Sequence, residues 1–169
     1  GLAKKIEEIC KKLEVPVIAK EVGWGISERT ANLLADCGVD VIDVAGAGGT
    51  SWSQVEMHRA PDEFTRQLAA TFVDWGINTA DSILNIKKAA PDMTVFASGG
   101  LKNGLDIAKS IAMGTTLGGM TSPFLKAAMV STEKVVKTIE LVKRQIQVAM
   151  FVAGIDKSEG LSGKINQHP

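Results

Sequence analysis

The stretch TVFASGGLKNGLDIAKSIAMGTTLGGM, Thr94 to Met120, decides the fold. TVFASGG (94–100) reads as a short apolar strand running into a Gly-Gly turn. NGLDIAKSIAMG (103–114) has the spacing of a helix and stops at a glycine. TTLGGM (115–120) predicts another strand, weakened by its two glycines. Strand, helix and strand in this order make a unit with parallel strands.

Upstream the same alternation repeats. Residues 1–13 place Leu2, Ile6, Ile9 and Leu13 on one helical face, and Pro16 ends that helix. VPVIAKEV (15–22) is a mostly apolar strand. Ser27 caps the helix SERTANLLADCG, which ends at Gly38. VDVIDVA (39–45) is the next strand, followed by GAGGTSW. Residues 51–75 are polar and less periodic, with no clear helix after GAGGT. A helix over 79–90 leads back to Thr94. Downstream, residues 131–154 predict a long amphipathic helix capped by Ser131. The chain thus divides into a (β/α) body over 1–154 and a Gly/Ser/Lys-rich, loosely ordered tail over 155–169. Four parallel strands in 169 residues suit a small open sheet or half of an eight-stranded barrel, since a whole barrel takes about 250 residues.

Composition narrows the function classes. Nineteen basic residues balance nineteen acidic ones, so no global field draws nucleic acid or an anionic membrane. No apolar run approaches the roughly 20 residues that cross a bilayer. Cys10 and Cys37 are too few for a disulfide framework and lack metal spacing, so free thiols in a reducing cytoplasm are expected. The three tryptophans, Trp24, Trp52 and Trp75, all adjoin glycine or glycine-rich loops, an unusual place for core tryptophans.

In parallel βα folds the chemistry collects at the carboxyl ends of the strands. Lys20 ends the first strand, Gly46–Trp52 follows the second, Ser98–Lys102 the third and Gly118–Ser122 the fourth. The last two loops put glycine amides ahead of helical segments, which suits phosphate binding through N–H donors. Taken alone, Lys20 reads first as a solvated lysine, with Glu21 and Asp43 as structural partners. Ser98 reads as a turn residue, because no Gly-x-Ser-x-Gly elbow surrounds it. His58 has no ligand partners at metal spacing, and no metal site is expected. GAGGT falls short of the dinucleotide fingerprint.

Five motifs in order, VPVIAKEVGWGIS, VDVIDVAGAGGTSW, WGINTADSI, ASGGLKNGLDIAKSIAMG and GGMTSPFLKAA, resemble the second half of type 2 isopentenyl-diphosphate isomerase, over most of residues 1–153. The resemblance implies a parallel (β/α) half-barrel, the second half of a TIM (β/α)8 barrel. It implies interconversion of isopentenyl diphosphate and dimethylallyl diphosphate with reduced FMN, Mg2+ and NADPH. It also implies FMN contacts at Lys20, Thr50, Gly100, Leu101, Lys102, Thr121 and Ser122, with Trp52 beside flavin and substrate. The family's Arg-Lys pair, His–Asn segment and Gln-Glu pair, with the Mg2+ ligand, have no counterpart here and fall upstream of residue 1. A half-barrel leaves two open sheet edges and an apolar inner face. The expectation is therefore a fragment, or a chain that pairs with another copy or with an N-terminal half, inactive alone. A 2-hydroxy acid oxidase would need a His and an Arg, for which only His58 and Arg59 offer themselves. A non-catalytic phosphate- or flavin-binding module is the remaining alternative.

Overall fold

A computed structural model of the protein describes residues 1–164. The elements run α1 (Leu2–Lys12), β1 (Ile18–Lys20), α2 (Glu28–Asp36), β2 (Val41–Asp43), α3 (Trp52–Arg59), α4 (Glu63–Ala70), α5 (Thr79–Ala89), β3 (Thr94–Ala97), α6 (Gly104–Ala112), β4 (Leu117–Gly118), α7 (Ser122–Ala128) and α8 (Thr132–Val152). A 3-10 turn follows at Ser158–Leu161. Helix starts are fixed by side-chain caps. Ser27, Ser51, Asp62, Asn103 and Ser131 each accept a hydrogen bond from a backbone N–H three residues on.

The four strands are parallel and lie in the order β1-β2-β3-β4. A doubly wound sheet reverses direction at its first strand, and this one does not. Helices α2, α5 and α6 supply residues that pack against one face of the sheet. The result is a curved half-barrel layer, as the resemblance implied.

Register assigns the faces. Ala19, Ile42 and Val95 form one row, and Ala97 pairs with Gly118 in the next row of that face. This face meets Ile26, Ala31 and Leu34 at α2, Ile83 and Ile86 on α5, and Leu101 before α6. Ile42, Ile83, Ile86 and Val95 are fully buried, each contributing roughly 2–3 kcal/mol of hydrophobic stabilisation. The opposite face carries Ile18, Val41 and Thr94, then Lys20, Asp43, Phe96 and Leu117. At its edges Ile18 and Leu117 stay 51% and 43% exposed, while Val41 near its centre is buried.

The structure departs from the sequence reading in three places. The polar segment 51–75 holds two helices, α3 and α4, neither of which buries a residue. A helix does follow GAGGT, starting at Trp52 with Ser51 as its cap. The segment expected to be loose from Ile155 is held as far as Lys164. Leu161 is buried in a small cluster with Ala108 and Ala112 of α6, and the Gly163 N–H donates to Ala112 O. Ile155 packs against the same cluster. Residues 165–169, with His168, lie outside the described residues.

Candidate functional site

The carboxyl ends of the strands open onto a cleft of about 1390 Å³. Its walls include Lys20, Gly48 to Thr50, Trp52, Ser98 to Lys102 and Gly119 to Ser122. All eight residues assigned from the resemblance, Lys20, Thr50, Trp52, Gly100, Leu101, Lys102, Thr121 and Ser122, line this one cleft. They come from four different loops. His58 and Arg59, at the end of α3, do not line it.

Lys20, Asp43 and Ser98 form a polar cluster at the cleft floor. The Lys20 ammonium donates to Asp43 Oδ2 at 2.7 Å and to Ser98 Oγ at 2.9 Å. Ser98 Oγ donates to Asp43 Oδ1 at 2.5 Å. Lys20 and Asp43 end β1 and β2, and Ser98 directly follows β3. The Lys20 side chain is 55% exposed and Asp43 16%. With Asp43 sunk and Lys20 open, the pair orients the ammonium toward the cleft. A half-exposed ion pair adds little stability of its own.

Glu21 does not partner Lys20. Its Oε2 accepts the N–H groups of Val22, Gly23 and Trp24 at 2.7, 2.9 and 2.7 Å. The loop after β1 is thereby folded around its own carboxylate. Trp52 joins this loop, its indole N–H donating to Val22 O at 2.9 Å. The indole is thus clamped at its polar end while its ring stays 45% exposed. Trp24 and Trp75 are also partly exposed, at 36% and 67%.

The glycines make room that side chains would fill. A Cβ at Gly49 would lie 2.9 Å from Gly100 N, and one at Gly100 would overlap the Gly48 carbonyl. Gly99 and Gly100 have φ of +100° and +84°, backbone that favours glycine. Ala45 is the one non-glycine with positive φ among the described residues, at +32°. It sits where β2 ends and the loop begins, a place where strain is often held at functional sites.

Residues 75–83, WGINTADSI, act as a hub that the sequence reading quoted without assigning roles. Ile77 N donates to Trp24 O, Ala47 N to Ile77 O, and Thr79 N to Ala47 O. Ser82 Oγ, fully buried, accepts the Ile26 N–H at 3.0 Å. The Thr79 hydroxyl reaches the carbonyls of Ser98 and Gly99. The start of α5 therefore ties together the loops after β1, β2 and β3. No periodic pattern marks such a role; the local signal is a run of small polar residues at a helix start beside Gly76.

Among the described residues, no three His, Cys, Asp or Glu side chains gather as a metal site requires. No helix there is long and apolar enough to cross a membrane.

The model of the FMN-dependent dehydrogenase family matches residues 2–167. The chain belongs to the FMN-dependent dehydrogenase family. An isopentenyl-diphosphate delta-isomerase of Rickettsia bellii (strain RML369-C) is 48% identical over 154 residues, which are 91% of this chain and 45% of that protein. That of Archaeoglobus fulgidus is 48% identical over 158 residues, covering 94% of this chain and 45% of the relative. That of Nostoc sp. is 47% identical over 154 residues, covering 91% and 44%. This member of the family is thus a homologue of those isomerases, and it spans less than half the length of the curated relatives it matches. Solved structures agree on the fold. A mandelate oxidase with benzoylformic acid superposes with a TM-score of 0.69 at 20% identity, covering 95% of this chain and 42% of that one. A flavocytochrome b2 variant with benzoylformate gives 0.69 at 22% identity, covering 95% and 36%.

Proposed function

We propose that this chain is the second, flavin- and phosphate-holding half of a barrel enzyme that interconverts isopentenyl diphosphate and dimethylallyl diphosphate with reduced FMN. The observation that carries the reading is the convergence of Lys20, Thr50, Trp52 and two glycine loops on one cleft, in a chain 48% identical to isomerases of that name. The cleft fits FMN. Glycines at 48, 49 and 100 keep open a cradle that a Cβ would fill, and the amides and Lys102 beside it suit a phosphate.

Reduced FMN supplies proton transfer to and from the substrate's carbon chain. The residues of this chain hold that cofactor and shape its surroundings. Lys20, oriented by Asp43 and Ser98, sets a positive charge beside the flavin ring, which favours its anionic reduced form. Thr50 offers a hydroxyl at the ring edge. The Gly100-Leu101-Lys102 and Thr121-Ser122 loops surround the phosphate. Trp52, fixed through its N–H, forms a flat apolar wall beside flavin and substrate and helps exclude water. The resemblance assigns the Mg2+ ligand and the diphosphate-binding side chains to the other half. NADPH serves as the reductant of the full enzyme.

The exposed face of the sheet, with Ile18 and Leu117, is where the other half or a second copy closes the barrel. Cytoplasmic location goes with the two free cysteines. The test is flavin absorbance of the purified protein together with an isomerase assay, alone and mixed with an N-terminal half. Expected are no turnover alone and turnover on mixing when FMN is reduced. Isomerisation by the chain alone would overturn the division of labour, and a mixture that holds no flavin would overturn the reading.

A further inference from the structure

Two successive glycines with free rotation give the loop after β3 many peptide orientations. Only some of them aim an N–H at a bound anion. Thr79 selects among them. Its Oγ1 lies 2.6 Å from Gly99 O and 3.2 Å from Ser98 O. A hydroxyl has one hydrogen to donate, and the nearer carbonyl, that of Gly99, takes it. The Ser98 carbonyl is held separately by the Gly46 N–H at 3.0 Å. Thr79 is itself anchored, since its own N–H donates to Ala47 O at 3.3 Å. Gly46 and Gly99 flank it so closely that a Cβ on Gly99 would lie 2.8 Å from its hydroxyl and 2.5 Å from Gly46 N.

In a trans peptide the C=O of one residue and the N–H of the next point in opposite directions. Holding the Gly99 C=O on Thr79 therefore turns the Gly100 N–H away from Thr79. Gly100 N lies near Gly49, where an added Cβ would be 2.9 Å away, and both glycines line the cleft. Among the described residues, no other side chain bonds to the carbonyls of Ser98 or Gly99.

We propose that Thr79 is a positioning residue for the cofactor's phosphate, aiming the Gly100 amide into the cleft through the Gly99 carbonyl. The inference rests on the reading of the cleft as an FMN site. It is tested by fluorescence titration of the purified protein, with its other half present, using FMN and riboflavin, which lacks the phosphate. Thr79→Val keeps the branched shape and removes the hydroxyl; Thr79→Ser keeps the hydroxyl. Losing one well-aimed amide on an anion should weaken FMN binding about tenfold in T79V. Riboflavin binding should change less than about threefold, and T79S should restore FMN binding to within about threefold of wild type. Equal losses for FMN and riboflavin in T79V would assign Thr79 a general structural role and overturn the inference. So would a T79S protein as weak as T79V. If T79V does not fold, T79A against T79S gives the same comparison. Wild-type protein that binds FMN no better than riboflavin would overturn the phosphate reading itself, a separate outcome.

Discussion

The two faces of the sheet are built from alternate residues of the same short strands, yet they have opposite fates. On one face Ile42 and Val95 are fully buried beneath α2, α5 and α6. On the other, Ile18 and Leu117, at the two edge strands, remain about half exposed beside the Lys20–Asp43 pair. The difference teaches that each βα unit finishes only its outer side. The inner side leaves Ile18 and Leu117 partly exposed at its edges, with the polar cluster of Lys20, Asp43 and Ser98 at its rim.

The comparison can be broken most severely on the covered face. Ile86→Ala removes a fully buried side chain and should cost about 4 kcal/mol in chemical denaturation. At the rim, Gly46→Ala drives a Cβ into the Thr79 backbone and should cost about 2–3 kcal/mol, with loss of flavin binding by fluorescence titration. Thr115 Oγ1 is buried with no partner, so Thr115→Val should raise stability by about 1 kcal/mol. On the bare face, Ile18→Ser should cost less than about 0.5 kcal/mol in the chain alone and about 2 kcal/mol when the other half is present. If it cost the chain alone as much as Ile86→Ala, the inner face would already be covered in solution and the contrast would fall.

The smallest effect is a titration far from both faces. The carboxyl of Glu63, held by Arg66 and then Gln67, is lowered from its ordinary 4.5 to about 2. A lowered carboxyl pKa stabilises the fold above the unfolded value of 4.5, and that contribution is lost as pH falls through about 2. NMR titration should find the Glu63 midpoint near 2 and should move it up toward 4.5 in Arg66→Ala. An unshifted wild-type midpoint would remove this interaction from the account of α4.

What was legible in the sequence follows the burial. Strands β1 to β4 announced themselves because their apolar runs end in glycine or lysine at loops that share one end of the sheet. The eight residues assigned from the resemblance line one cleft, since the loops that carry them all follow the carboxyl ends of the strands. Helices α3 and α4 were not legible: α3 has no apolar stripe, and α4 carries Phe64 and Leu68 one turn apart but exposed, so neither buries a residue. Their signals were the caps Ser51 and Asp62. Thr79 was hidden for a different reason: its hydroxyl acts on carbonyls some twenty positions away, a contact that no local pattern encodes. Leu161, with Ile155 beside the same cluster, docks the tail among otherwise polar residues.

Glu21 has a consequence for traffic within the cleft. Three consecutive amides after β1 would form a ready receptor for a mobile anion, but a carboxylate from the chain already sits in it. That receptor is self-occupied, and an incoming phosphate finds no vacancy there. The β1 side of the cleft is thereby set apart from the glycine loops after β2 and β3, whose glycine amides are capped by no carboxylate among the described residues.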